Sequence, residues 1–143
     1  MTSLAGLRIA RISTVPYFVA TQLKGQIDYL AEAGADVTII TSAGEELSRF
    51  TWGDRLKCIE VEIPRSLHPF KDFLALIRLT GIFRRGRFDI VHSTTPKAGL
   101  LCAIAGVLAG ISIRLHTFTG QPWATLSGPM AAAARFADRV IGH

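Results

Sequence analysis

The chain has 143 residues, of which 49% are hydrophobic and 19% are charged. This composition excludes a disordered chain, and the length suffices for one compact domain with its own core. Sixteen Lys and Arg residues against eleven Asp and Glu residues give a formal net charge of +5, which favours an anionic partner: a phosphate compound, an anionic membrane surface or nucleic acid.

The location of the chain is predicted from what its sequence lacks. The first residues show no charged-then-apolar leader with a cleavage site, and glycines interrupt the most apolar run, residues 98–113. We therefore expect a cytoplasmic chain. Cys58 and Cys102 fall in a predicted strand and a predicted helix without the paired spacing of a zinc or redox motif, so we expect buried, reduced thiols.

The first half of the chain predicts a strand–helix–strand unit and then an edge strand. Residues 7–12 alternate between apolar and polar positions, as a strand does. The next apolar residues recur at helical spacing, and Gly34 ends that helix before a strand over residues 36–40. After a polar, irregular stretch, residues 56–63 predict a third strand with one solvated side, at the edge of the sheet.

A long helix is predicted to begin at Pro69. The helical spacing of its apolar residues predicts the face on the sheet: Phe70, Phe73, Leu74, Ile77 and Gly81. Its end is strongly basic, with Arg78, Arg84, Arg85 and Arg87 interleaved with Phe83 and Phe88. These cations fit either a contact with anionic membrane headgroups or a solvated helix end whose dipole favours positive charge.

The central unit of the chain predicts two parallel strands joined by a helix. Residues 90–92 are short and β-branched, as in a buried strand. Thr95 offers an N-cap hydroxyl and Pro96 suits the first helical position, so a helix should run from there to a stop at Gly110. Residues 111–118 alternate as a second strand, and a crossover of this length implies a parallel, right-handed pair.

The last segment predicts a helix over residues 130–137 and the start of a sixth strand over residues 138–143. Six strands alternating with helices predict an α/β fold: a Rossmann-like, doubly wound parallel sheet in the order 3-2-1-4-5-6. In that order strands one and four are neighbours. The polar turns 13–16 and 93–97 should then face one crevice at the carboxyl ends of the strands.

Both sides of this crevice carry groups that suit an anion. Thr94, Thr95 and Lys97 come at a helix N-terminus, where free N–H groups and an ammonium favour a phosphate or carboxylate. The turn after the fifth strand adds hydroxyl and amide groups in Thr119-Gly120-Gln121. The simpler alternative makes Thr95 a cap and Lys97 a solvated charge, although capping does not explain a cation that opposes the helix dipole.

Several familiar chemistries find no support in the sequence. Residues 13–22 contain no glycine, so the dinucleotide-binding fingerprint is missing, and neither a phosphate loop nor a nucleophile elbow occurs. His92 and His116 end neighbouring predicted strands and could meet at a metal ion. Without a carboxylate or thiolate nearby in sequence, hydrogen bonding at the strand ends or polar contact with a ligand is the better interpretation.

Two motifs carry a family resemblance: residues 91–101, VHSTTPKAGLL, and residues 114–125, RLHTFTGQPWAT. They resemble the amino-terminal half of family 4 glycosyltransferases, and within it the bacterial capsule and O-antigen enzymes that elongate lipid-linked sugars. The resemblance implies a retaining GT-B enzyme with two Rossmann-like domains and no cofactor or required metal. Residues 1–143 would form the acceptor-side domain. The carboxyl-terminal donor domain, with its spaced pair of glutamates, is absent, so we expect this chain to be inactive without that domain or a partner subunit.

The resemblance also implies roles for individual residues. Thr119 stands where many relatives have a histidine that contacts the donor sugar, and its hydroxyl can hydrogen-bond but cannot act as a base near neutral pH. His116, two residues earlier, is the other catalytic candidate. Amides of the first turn would approach the diphosphate, and Lys97 would bind a phosphate of the acceptor or donor. The expected substrate-binding residues are Thr14, Val15, Thr94, Thr95, Lys97, Thr119, Gly120 and Gln121.

The partners implied are a nucleotide diphosphate-sugar as co-substrate and a saccharide acceptor linked to polyprenyl diphosphate. The enzyme would associate peripherally with the inner face of the cytoplasmic membrane. The rival interpretation is a non-catalytic Rossmann-like module that binds an anionic small molecule or a partner. Nucleic acid is disfavoured as a partner because the basic residues lack the interleaved stacking aromatics of a sequence-tolerant binder.

Overall fold

The structure, a computed structural model, describes residues 3–119 and 127–142. Its strands are β1 (Arg8–Ile12), β2 (Asp36–Thr41), β3 (Leu56–Glu60), β4 (Ile90–Thr94) and β5 (Ile113–Thr117). Its α-helices are α1 (Pro16–Phe18), α2 (Lys24–Glu32), α3 (Pro69–Gly86), α4 (Pro96–Ala109) and α5 (Gly128–Ile141). A π-helical turn (Val19–Leu23) joins α1 to α2, and a 3-10 helix (Glu45–Arg49) follows β2.

The five strands form one all-parallel sheet in the order β3-β2-β1-β4-β5. This confirms the predicted Rossmann-like α/β fold, the position of β3 at an edge and the pairing of strands one and four. The order reverses between β1 and β4, so the switch point lies where the sequence predicts it.

The predicted sixth strand is wrong for the residues that the structure describes. Residues 138–141 continue α5, which ends at Gly142. The reason is helix propagation: four consecutive alanines, residues 131–134, have the highest helix propensity, and extending a formed helix adds one hydrogen bond per residue. The β-branched Val140 and Ile141 do not outweigh that gain.

Strand alternation sends side chains into two separate cores. On one face Ala10, Ile12 and Val91 pack with Leu79 of α3 and Ala105 of α4. On the other face the core is formed under α2 by Ile9, Ile27, Val37, Ile39 and Phe50. Because β1 contributes to both cores, it is the buried centre of the sheet, and the residues that follow it are held on a rigid base.

The predicted orientation of α3 is wrong. Ala75, Leu79 and Phe83 are the buried residues of this helix, at most 3% exposed. The four large residues predicted to face the sheet are instead between 49% and 75% exposed: Phe70, Phe73, Leu74 and Ile77. Both sides of α3 are apolar, so periodicity alone cannot say which one packs. The small Ala75 side chain allows the close approach of α3 to the core that the larger residues prevent.

The helices in the described ranges include none that is long and apolar enough to cross a membrane. Cys58 is partly buried and Cys102 is fully buried, and both are free thiols. Burial raises the pKa of Cys58 to about 11, with the Glu60 carboxylate adding to the rise, and burial also raises the pKa of Cys102. The expectation of buried, reduced thiols is thus confirmed in full for Cys102 and in part for Cys58.

Candidate functional site

The turns after β1 and β4 meet at the carboxyl edge of the sheet. The parallel register pairs Ile12 with Ser93, so the next residues of both strands emerge side by side. The Thr14 amide donates to Thr95 Oγ1 at 3.4 Å, and the Thr14 hydroxyl donates to the same atom at 3.2 Å. The prediction that these two turns are neighbours is confirmed, and a crevice lined by both stays a prediction. We call the edge formed by residues 13–15 and 94–97 the rim.

Thr95 holds an unusual position at the start of α4. Its φ angle is +83°, a region that residues other than glycine rarely adopt. It is the N-cap residue of α4, but the predicted cap hydrogen bond is not made, because its hydroxyl is directed to Thr14. The first intrahelical bond is donated by Gly99 to the Thr95 carbonyl. The amides of Lys97 and Ala98 precede that bond and receive no side-chain cap, and of these two residues Ala98 is fully buried.

The amides of the first turn are already engaged within the chain. The Val15 amide donates to Ser13 Oγ at 3.3 Å, and the Thr14 amide contacts Thr95 as described. Both were expected to approach a diphosphate. That role stays a prediction, and it would require either amide to exchange its present partner for the ligand.

Lys97 forms an ion pair that the sequence analysis missed. Its Nζ donates to Asp72 Oδ1 at 2.8 Å and to the Ser66 carbonyl oxygen. Both side chains of the pair are 17% exposed, so Lys97 is not a solvated charge. Asp72 lies in the first turn of α3, and the pair therefore ties the first turns of α3 and α4 together. The assignment of Lys97 to a substrate phosphate stays a prediction, because the carboxylate already balances its charge.

Arg11 is a second residue that the sequence analysis missed. It lies in β1, is 2% exposed, and donates from Nη1 to the His92 carbonyl oxygen at 3.3 Å. Its Nε has no hydrogen-bond partner within the described residues, and no carboxylate there lies within ion-pair distance of it. Burial lowers the pKa of Arg11 to about 10, which leaves it protonated at neutral pH. The sequence did contain a signal for this residue: an arginine within a central strand, two residues before a polar turn.

Two buried hydroxyls near the rim also lack partners among the described residues. Thr41 and Thr94 are the last residues of β2 and β4, and both are 0% exposed with an unpaired Oγ1. Alternation along the three central strands places them on the same face of the sheet as Arg11. Buried polar groups are normally satisfied, so a cation and two hydroxyls without complete partners at one end of one face indicate a polar ligand or ordered water there.

His92 and His116 lie on opposite faces of the sheet. The register pairs His92 with Leu115 and Ser93 with His116, which excludes one metal ion bound by both imidazoles. His92 Nε2 shares a hydrogen bond of 2.8 Å with Thr117 Oγ1, and His116 Nδ1 shares one of 2.8 Å with Ser93 Oγ. Across residues 3–119 and 127–142, no group of three metal-ligating side chains comes together.

Both imidazoles favour the neutral form. Burial, then the Arg11 and His116 charges, lower the pKa of His92 to about 4. Burial lowers the pKa of His116, and the Asp138 carboxylate opposes that effect. His116 sits against α4 where Gly99 leaves room for its ring, beneath the rim rather than on it. Its catalytic role stays a prediction.

The turn after β5 starts at the same edge as the rim. Thr94 pairs with Thr117, so Phe118 and the exposed Thr119 follow directly beside β4. Phe118 packs edge-on against His116 with ring centroids 4.5 Å apart. Gly120 and Gln121, the other predicted binding residues of this turn, lie outside the described residues. The roles of all three remain predictions.

Comparison with known proteins gives the family. The glycosyl transferase 4-like domain matches residues 19–143. The chain is 32% identical over 106 residues to the capsular polysaccharide biosynthesis glycosyltransferase CapM of Staphylococcus aureus, covering 74% of this chain and 27% of that protein. It is 26% identical over 117 residues to the UDP-Gal:alpha-D-GlcNAc-diphosphoundecaprenol alpha-1,3-galactosyltransferase of Escherichia coli, covering 80% of this chain and 30% of that protein.

The chain thus spans less than a third of the length of either relative. The family match nevertheless covers most of the chain, including α3, α4 and residues 94–97 of the rim, and both relatives are glycosyltransferases of lipid-linked or capsular sugars by name. The Rossmann-like sheet agrees with one half of a GT-B architecture. This chain belongs to the glycosyl transferase 4-like family and resembles its capsule and O-antigen enzymes.

Proposed function

We propose that this chain is the acceptor-side part of a retaining glycosyltransferase. The enzyme transfers a sugar from a nucleotide diphosphate-sugar to a saccharide on polyprenyl diphosphate, during synthesis of a cell-surface polysaccharide. The family and the names of the two relatives support this proposal, since one makes capsular polysaccharide and the other names both a UDP-sugar and a diphosphoundecaprenol acceptor.

One observation at the rim carries the chemical part of the proposal. Uncapped amides of α4 and the buried Arg11 guanidinium lie at the carboxyl ends of the central strands, where α/β proteins of this type bind ligands. A substrate diphosphate would supply the negative charge and the acceptor oxygens that Arg11 Nε lacks among the described residues, and it would also accept from the α4 amides that no side chain caps. Both substrates of the proposed reaction carry such a group.

The work of this part of the enzyme is positioning and electrostatics rather than proton abstraction. In front-side attack with retention, the leaving phosphate takes the acceptor proton, so no strong base is needed here. Thr119 can contribute a hydrogen bond to the donor sugar. The donor-binding domain, with its pair of glutamates, would lie outside these 143 residues, and we expect the chain alone to bind donor weakly and to transfer nothing. We further propose that the enzyme needs no metal and works on the cytoplasmic face of the membrane.

The test is a transfer assay with the longer protein that contains this segment, using a panel of nucleotide-sugars and a short-chain polyprenyl diphosphate-saccharide. We expect one donor to give a product whose anomeric configuration, measured by NMR, matches that of the donor, with unchanged rates in EDTA. An inverted product would exclude retention, and loss of activity in EDTA would exclude metal independence. Absence of transfer with every donor, together with tight binding of an anionic small molecule, would favour the binding-module alternative.

A further inference from the structure

The outer side of α3 carries an uncovered apolar stripe. Phe70, Phe73, Leu74 and Ile77 repeat at helical spacing on the side opposite the buried Ala75, Leu79 and Phe83, and all four are exposed. Leu67, just before the helix, extends the stripe and is 81% exposed. We call these five residues the α3 stripe. A contiguous patch of large apolar side chains on one helix face is typical of a surface that contacts a membrane or another protein.

Positive charge lies directly beside the α3 stripe. A cleft of about 830 Å³ under the second half of α3 shares Ile77 with the stripe. Its lining includes two carboxylates, Asp36 and Asp54, and five cations: Arg8, Arg55, Lys57, Arg78 and Arg85. Within the described residues none of these five cations is part of an ion pair. The cleft therefore offers unbalanced positive charge to a ligand that reaches the stripe at the same time.

The charge on α3 itself has the same sign. The helix contains four cationic side chains and one carboxylate. Asp72 pairs with Lys97 and Lys71 pairs with Glu62, which leaves Arg78, Arg84 and Arg85 without an ion pair among the described residues. A helix with an apolar face and cationic flanks lies in the plane of a bilayer surface, with the apolar side chains at the boundary of headgroups and acyl chains. A purely apolar protein face would cover the stripe but leave the cleft cations unpaired, whereas an anionic bilayer satisfies both.

We propose that α3 is the membrane-contact element of this protein. The α3 stripe enters the interfacial region of an anionic bilayer, and Arg78 and Arg85 bind lipid phosphates at the mouth of the cleft. The inference rests on the proposed function, because a polyprenyl-linked acceptor requires an enzyme that works at a bilayer surface. The ion pair between Asp72 and Lys97 ties the first turn of α3 to the rim, so contact of α3 with the bilayer brings the rim to headgroup level.

The experiment is co-sedimentation of the intact protein with vesicles that contain no saccharide acceptor. One set contains phosphatidylglycerol and phosphatidylethanolamine, and the other contains phosphatidylcholine alone. The variants are a Phe70→Ser/Phe73→Ser double substitution and an Arg78→Gln/Arg85→Gln double substitution. Phe136→Ser is the matched control, because Phe136 is a 67% exposed phenylalanine on the surface of α5.

We expect the parent protein to bind the anionic vesicles. The phenylalanine double variant should bind them at least about tenfold more weakly, with an unchanged circular dichroism spectrum. The arginine double variant should lose most of the salt dependence of binding. Phe136→Ser should bind as the parent does. Parent-like binding of the phenylalanine double variant, an equal loss in Phe136→Ser, or failure of the parent to bind anionic vesicles would overturn the proposal.

Sedimentation velocity distinguishes contact of the α3 stripe with a membrane from its contact with a second copy of the chain. If the parent self-associates, the Phe70→Ser/Phe73→Ser variant is monomeric and vesicle binding is the same in both, the α3 stripe contacts a second copy. That result would overturn the membrane contact. If the protein transfers sugar to a water-soluble acceptor but does not bind vesicles, this inference is contradicted and the proposed function is not. If the protein binds vesicles but transfers sugar to no acceptor, the proposed function is contradicted and the membrane contact is not.

Discussion

At the scale of single residues, the rim combines groups that the sequence analysis identified with groups that it did not. Thr14 and Thr95 follow predicted neighbouring strands, so their contact could be predicted from strand order. Asp72 and Arg11 could not, since a partner 25 residues from Lys97 and a buried guanidinium with no carboxylate partner among the described residues depend on packing that no local pattern encodes. They change how the electrostatics of the rim are understood, because Lys97 is balanced and Arg11 is not.

The ion pair at the rim allows the structural and functional roles of Lys97 to be separated. Lys97→Ala and Asp72→Asn should each lower the free energy of unfolding by about 1.5–3 kcal/mol, because each leaves a mostly buried polar partner unpaired. If Lys97 also binds a substrate phosphate, Lys97→Ala should lower transfer by the intact protein more than Asp72→Asn does, since the latter keeps the cation. Urea unfolding and steady-state kinetics of both variants make the comparison. Equal losses of activity would restrict Lys97 to a structural role.

His92 predicts a pH dependence of stability. Its pKa is lowered from 6.5 to about 4 in the folded protein, so between these values the unfolded chain binds more protons. The stability contributed by the neutral imidazole is therefore present above pH 6.5 and is lost as the pH falls towards 4. His92→Gln, which keeps a hydrogen-bonding group near Thr117, should flatten this part of the stability curve measured by urea unfolding. Parallel curves for parent and variant would contradict the shift.

At the scale of elements, alternation and helical spacing were enough to predict the five strands, their parallel order and the main helices. These patterns failed where one pattern is compatible with two different structures. Both sides of α3 repeat at helical spacing, and only packing shows that Leu79 and Phe83 are the core residues. In α5 the β-branched Val140 and Ile141 locally favour a strand, but the alanines before them start a helix that continues through both residues.

Contact between α4 and β5 depends on a glycine. A Cβ atom on Gly99 would come within 2.5 Å of the His116 ring, which Ser93 holds in place. Gly99→Ala should therefore destabilise the protein by about 1–3 kcal/mol through overpacking, despite the better helix propensity of alanine.

Gly81 is the matched control for this substitution. It lies in α3, and a Cβ atom there would meet nothing within 4 Å. Gly81→Ala should stabilise the protein by about 0.5–1 kcal/mol. Thermal or urea unfolding of the two variants tests the assignment, and stabilisation by Gly99→Ala would show that the His116 ring is not held against α4.

At the scale of the whole molecule, two surfaces suit an anionic partner. The rim has uncapped amides at the carboxyl edge of the sheet, with the buried Arg11 guanidinium just before it in β1. The cleft beside the α3 stripe, near the amino edge, has five cations that form no ion pair within the described residues. The first suits the diphosphate of a substrate and the second suits the headgroups of the bilayer that would carry it. Asp72 and Lys97 connect the two, because they join α3 to the start of α4.

The most direct test of the rim as a diphosphate site is the effect of Arg11→Met on steady-state transfer by the intact protein. Stability should stay within about 1 kcal/mol of the parent, because removal of a buried cation without a carboxylate partner offsets the lost hydrogen bond to His92. We predict that KM for the lipid diphosphate acceptor or for the nucleotide-sugar rises about tenfold or more. Values of KM within about twofold of the parent for both substrates would contradict the account.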